Sequence, residues 1–134
     1  MAPVLDTHTW IWWLLGDPRL GAEAQRVLDA LPSRERPILS DISLWEAAML
    51  VAGGRLTLED DLEQWLLVAA SPATVQLARL SSEVVARMNR LPASFHRDPA
   101  DRLIVSTAIM LDRPLFTYDR KIIDSGIVPI WRTQ

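Results

Sequence analysis

At 134 residues and 15.1 kDa the chain has the length of one domain, residues 1–134, with enough surface to bury a single hydrophobic core. Its composition, 49% hydrophobic and 23% charged, excludes an intrinsically disordered chain, and the absence of cysteine excludes disulfides, thiolate metal sites and a cysteine nucleophile. The 14 basic and 17 acidic residues give a net charge of −3, so overall charge does not point to nucleic acid as a partner.

In chain order, Pro3-Val4-Leu5 is a short apolar run expected to be a buried strand ending at Asp6. The aromatic segment 10–15 follows and stops at Gly16. Asp17-Pro18 is a helix start, with the Asp side chain as cap and Pro in the first turn, leading into a helix over 19–31. A second strand is expected at 37–40, then a helix over 42–52 ending at Gly53-Gly54. Leu62, Trp65, Leu66 and Ala69 recur at i, i+3, i+4 and i+7, the mark of an amphipathic helix over 59–70. Residues 74–80 alternate weakly as a third strand. Ser81 or Ser82 caps a helix over 83–89, and 91–97 reads as a loop. Asp98-Pro99 opens a helix that is apolar almost all round from Leu103 to Leu111 and is therefore central. A fourth strand at 115–118, a helical turn at 119–124 and a fifth strand at 128–131 complete the chain.

Strands alternating with helices imply an α/β fold with a central parallel sheet covered on both faces. In such sheets a ligand site lies beyond the carboxyl ends of the strands. Asp6 and Asp119 directly follow expected strands, while Glu46 and Asp101 lie in the first or second turn of helices that start on the same rim. Four carboxylates from four segments can therefore converge. Each also has a plainer explanation, since Asp6 and Asp119 suit turns or caps, Asp98 suits an N-cap and Asp101 complements a helix dipole. Glu46 is harder to explain that way, because Ile42, Leu44, Trp45, Ala47 and Met49 surround it with apolar residues. A carboxylate cluster suits hard divalent cations such as Mg²⁺ or Mn²⁺, and the matching chemistry is metal-assisted phosphodiester hydrolysis. Setting those four acids aside turns the remaining charge slightly positive, with Arg97, Arg102, Arg113, Arg120, Lys121 and Arg132 in the last third, so nucleic acid stays admissible.

Four blocks in this order carry a family resemblance: Val4-Leu5-Asp6-Thr7-His8, Ser40 to Glu46, Phe95 to Val105 with its Asp-Pro-x-Asp-Arg core, and Leu115 to Asp119. Together they resemble the PIN-domain ribonucleases, specifically the toxins of VapBC-type toxin–antitoxin pairs. The resemblance implies a PIN-like α/β/α sandwich and a Mg²⁺-dependent endoribonuclease that cleaves RNA, is dimeric, and is held inactive by a cognate antitoxin. Carried over by position, Asp6, Glu46, Asp101 and Asp119 match the family's acidic quartet, with Asp6 and Asp101 as direct metal ligands. Thr7 and Thr117 match hydroxyl positions that orient those carboxylates, and Asp98 and Arg102 belong to the toxin-like block.

Other chemistries fit less well. His8 and His96 lie far apart and match a hydrogen-bonded histidine plus a surface one better than a zinc pair. An aspartyl-nucleophile phosphatase wants a second Asp two residues after the first, where His8 stands. The rival from another class is a non-catalytic interaction module of the same fold. Trp10, Trp12 and Trp13 cannot all face the core from one short helix, so this cluster is either core with one exposed ring or an apolar patch for a partner. No apolar run reaches the ~20 residues of a bilayer span, and no basic region followed by an apolar run opens the chain, so a cytoplasmic protein without a membrane partner is expected.

Overall fold

The computed structural model describes residues 1–133; the expected domain extends to Gln134, which lies outside the described residues. Four short strands, β1 (Val4–Leu5), β2 (Ile38–Ser40), β3 (Gln76–Ala78) and β4 (Leu115–Phe116), form an all-parallel sheet in the order β3-β2-β1-β4. The connections are helical: α1 (Thr7–Leu15) and α2 (Ala22–Asp29) after β1, α3 (Ile42–Ala52) and α4 (Leu62–Ala69) after β2, α5 (Ser82–Arg90) and α6 (Pro99–Leu111) after β3, and α7 (Arg120–Ser125) after β4. Parallel neighbours require such crossovers, so the expected α/β/α arrangement follows from the strand–helix alternation.

Alternation along each strand divides the core. Leu5, Leu39 and Phe116 point to one face with Trp10, Ile11, Leu28, Ala47 and Ala69; Val4, Ile38 and Leu115 point to the other with Phe95, Ile104, Val105, Ala108 and Ile122. Ile104, Val105 and Ala108 of α6 are fully buried, as the apolar run from Leu103 requires. Trp10 is also fully buried, rests 5.1 Å from the Trp65 ring and donates its indole N–H to the Ala69 carbonyl at 3.0 Å. Trp12 and Trp13 are half-buried and packed against this core, so the cluster is mainly core with a partly open edge.

Two elements depart from the sequence reading. The helix expected over 19–31 is a 3₁₀ turn, Pro18–Leu20, followed by α2, because the chain reverses at Gly21 with φ +97°, a conformation open to glycine. Asp17 caps the turn as expected by accepting from Arg19 N–H. The fifth strand expected at 128–131 is a single bridge from Ile130 to Leu115. β4 is only two residues long, and Pro129 has no N–H to extend the ladder.

Candidate active site

The carboxyl ends of β1 and β4 set the position of the first acid. Asp6 follows β1, its N–H still pairs with the Phe116 carbonyl at 3.0 Å, and its side chain caps α1. Asp6 Oδ1 accepts from Thr7 N–H at 2.7 Å and Oδ2 accepts from the Thr117 hydroxyl at 2.6 Å. Thr9 Oγ1 ties the same corner by donating to the carbonyls of Asp6 and Phe116. Asp6 is 6% exposed, and burial raises its carboxyl above the usual range, against the lowering effect of the Thr117 hydrogen bond.

Glu46 is on the second turn of α3, where Ser43 stands three residues earlier on the same helix face. Thr7 joins the two helices: its hydroxyl donates to Glu46 Oε1 and shares a 2.8 Å hydrogen bond with Ser43 Oγ. Burial raises the Glu46 carboxyl, and the charges of Asp6 and Asp98 raise it further.

The third contribution comes from α6. Asp98 caps the helix by accepting from Ala100 N–H at 2.9 Å and from Asp101 N–H at 3.4 Å. Pro99 then occupies the first turn, and Asp101 projects toward the rim. Asp101 Oδ2 is 2.9 Å from His96 Nε2, which also reaches Asp119 Oδ2 at 3.4 Å. Asp119 caps α7 through Lys121 N–H, and its own N–H donates to the Thr117 hydroxyl at 3.0 Å. Thr117 is thus held between Asp6 and Asp119.

The result is a concentration of negative charge. Burial together with the charges of Asp6, Asp98, Glu46 and Asp119 pushes the Asp101 carboxyl up to about 8. Two sets of ligand atoms lie within 4.8 Å of one another: His96, Asp101 and Asp119 on one side, Glu46, Asp98 and Asp101 on the other. Asp101 is common to both. Asp6 lies outside both sets among the described residues, with each oxygen already accepting one hydrogen bond; each retains a lone pair.

The structure therefore brings together Asp6, Glu46, Asp101 and Asp119 with Thr7, Thr117 and Asp98. Arg102 is turned elsewhere: its guanidinium donates to the carbonyls of Met88, Leu91, Pro92, Phe95 and His96, clamping the loop before α6. Two site residues were not singled out as such from sequence, Ser43 and His96. Ser43 carried a signal, the i, i+3 spacing to Glu46. His96 stands in the block from Phe95 to Val105 and reads from sequence as a hydrogen-bonded or surface histidine; its place at the acids depends on the course of a loop that Arg102 holds. His8 is exposed beside Trp12 and joins neither ligand set.

The sequence and the fold are shared with known proteins. The family model described as PIN domain matches residues 4–126. The chain is 34% identical over 119 residues to Ribonuclease VapC22 of Mycobacterium tuberculosis (strain ATCC 25618 / H37Rv), covering 89% of this chain and 88% of that protein. A solved toxin-antitoxin complex from Klebsiella pneumoniae matches 99% of this chain and 98% of its own with a TM-score of 0.69 at 22% identity. The structure of FitAB bound to IR36 DNA fragment matches 97% of this chain and 94% of its own with a TM-score of 0.70 at 21% identity. These two structures share the fold. With a domain model spanning nearly its whole length and a VapC ribonuclease aligned across most of both sequences, this chain belongs to the PIN-domain family as a VapC-like member.

Proposed function

We propose that this protein is a metal-dependent endoribonuclease, the toxin of a type II toxin–antitoxin pair. The observation that carries the reading is the convergence of four carboxylates on Asp101, whose carboxyl is pushed up to about 8 by burial and then by those charges. Like charges held this closely call for a cation, and a donor set of carboxylate oxygens suits Mg²⁺ or Mn²⁺.

Asp101, shared by both ligand sets, and Asp6, through its remaining lone pairs, would hold the ion. When bound, the cation supplies a Lewis acid that lowers the pKa of water and offsets charge developing on the scissile phosphate. The chain's own residues position and neutralise. Thr117 and Thr7 fix the Asp6 carboxylate, and Thr7 also orients Glu46 Oε1, leaving Oε2 to take a proton from the attacking water. His96 Nε2 holds Asp101 and Asp119 in register.

The relative named a ribonuclease supports RNA as substrate, and the toxin-antitoxin complex supports an antitoxin as partner. Exposed apolar side chains on α3 (Trp45, Met49) and α4 (Leu67, Val68) offer surface for that antitoxin and for a second copy of the chain in a homodimer. No helix among the described residues is long and apolar enough to cross a membrane, which accords with action on RNA in the cytoplasm.

The test is cleavage of single-stranded RNA by chain purified free of any partner, with Mg²⁺ or EDTA, beside Asp6→Asn. The reading expects Mg²⁺-dependent cleavage that the substitution removes while the fold persists. Absence of cleavage with every RNA offered, or cleavage indifferent to the substitution, would favour the non-catalytic module.

A further inference from the structure

We propose that the cavity between the loop before α6 and the start of α7 is a nucleotide subsite. It takes one unstacked nucleotide of single-stranded RNA beside the scissile phosphate. The inference rests on the ribonuclease reading and adds to it where the neighbouring nucleotide goes and which residues hold it.

The cavity measures about 890 Å³ and is lined by Phe95, His96 and Arg97 on one wall and Lys121, Ser125 and Ile127 on the other. Ligand cavities commonly run to roughly 300–1,000 Å³, so the space admits a nucleoside with its phosphate. It is joined to the acid cluster by shared residues: His96 and Asp98 line the cavity and also belong to the two ligand sets around Asp101. A chain of nucleotides with one phosphate at the acids therefore has its neighbour at the cavity mouth.

Charge argues for the same occupant. Arg97 and Lys121 are exposed, face this space, and form no ion pair among the described residues, although the molecule has an excess of acid. Of the two acids in the lining, Asp124 is paired with Arg120 at 3.0 Å and Asp98 is engaged as a helix cap. Two uncommitted cations beside a cluster of carboxylates suit a polyanion whose scissile phosphate sits over a cation and whose next phosphate needs neutralising separately. The apolar side chains at Pro92 and Ile127 and the hydroxyl of Ser94 provide the mixed lining that a base requires. A base can enter such a cavity only when splayed from its neighbours, which selects loops and single strands over duplex.

Binding of a labelled single-stranded RNA oligonucleotide to the Asp6→Asn protein, measured by anisotropy across salt concentrations, tests this. Arg97→Gln and Lys121→Gln should each weaken binding several-fold and lower the slope of log affinity against log salt by about 0.7, the value per phosphate contact on single strands. Ser94→Trp, which fills the cavity without changing charge, should weaken binding and leave the slope unchanged. Annealing the oligonucleotide to its complement should abolish the effect of Ser94→Trp. If the parent chain cleaves RNA and all three variants bind single strands as the Asp6→Asn protein does, the subsite is wrong and the ribonuclease reading stands. If the parent chain neither cleaves nor binds RNA, both fall together.

Discussion

The acidic rim has two halves that handle charge differently. At the ends of β1 and β4, Asp6 is anchored by Thr7 N–H and the Thr117 hydroxyl, and Asp119 by Lys121 N–H. On α3 and at the start of α6, Glu46, Asp98 and Asp101 are close enough to hold one ion between them, and burial together with the neighbouring carboxylates pushes the Asp101 carboxyl up to about 8. The strand side fixes positions; the helix side stores repulsion that a divalent cation would relieve. Such a division would hold the carboxylates in place ahead of an ion, so that binding it would need little reorganisation.

The largest effect should come from the helix side. Asp101→Asn removes the residue common to both ligand sets, and RNA cleavage should fall by more than the roughly 10–100-fold that follows loss of a ligand's supporting partner. The same variant without metal should be at least as stable as the parent, because it deletes a repelling charge. A less stable Asp101→Asn protein would make Asp101 a structural acid.

On the strand side, Thr117→Val removes the hydroxyl between Asp6 and Asp119. The expectation is a loss of roughly 10–100-fold in cleavage and about 1–3 kcal/mol in stability, since Asp6 Oδ2 is left buried without its donor. Equal stability loss without any loss of rate would separate the strand side from the chemistry.

Arg102→Met tests how the two halves are connected. The guanidinium fixes the loop that delivers His96, so the variant should lose about 2–3 kcal/mol and some cleavage, with the Asp6 corner unchanged by NMR shifts of Thr7 and Thr117. Shifts at those threonines as large as at His96 would show a single cooperative rim instead.

Stability against pH gives the mildest test. Asp6, Glu46 and Asp101 all have carboxyls raised in the folded state, so the folded chain binds more protons than the unfolded one above the ordinary carboxylate pKa. Stability of the metal-free chain should therefore decline as pH rises from about 4 to about 8 and level off above, since slope follows the difference in bound protons. Mg²⁺ should flatten that decline, and Asp101→Asn should shorten it at its upper end. A metal-free chain that gains stability over this window would contradict the charge cluster.

Much of this was legible in the sequence because it depends on short-range pattern. Val4/Leu5, Ile38/Leu39 and Leu115/Phe116 are adjacent apolar pairs that had to face opposite layers, and an acid placed right after such a strand lands on the carboxyl rim. The caps at Asp17 and Asp98 are likewise local. What escaped depends on the path of the chain in space. Gly21 ends the 3₁₀ turn through a dihedral that periodicity does not report, and the bridge at Ile130 is limited by the two-residue length of its partner β4. His96 reaches Asp101 from a loop whose carbonyls Arg102 gathers just before α6, and no spacing rule contains that information.

Proton release on metal binding tests most directly whether the cluster of acids around Asp101 is a cation site. At about pH 7 a carboxyl with a pKa of about 8 is mostly protonated, so Mg²⁺ must displace that proton to bind. Calorimetric titrations of Mg²⁺ in buffers of different ionisation enthalpy should show proton release at about pH 7 that falls away by about pH 9.5 and is clearly smaller in Asp101→Asn. Mg²⁺ binding without proton release at neutral pH, or release undiminished in Asp101→Asn, would contradict a cation site centred on Asp101.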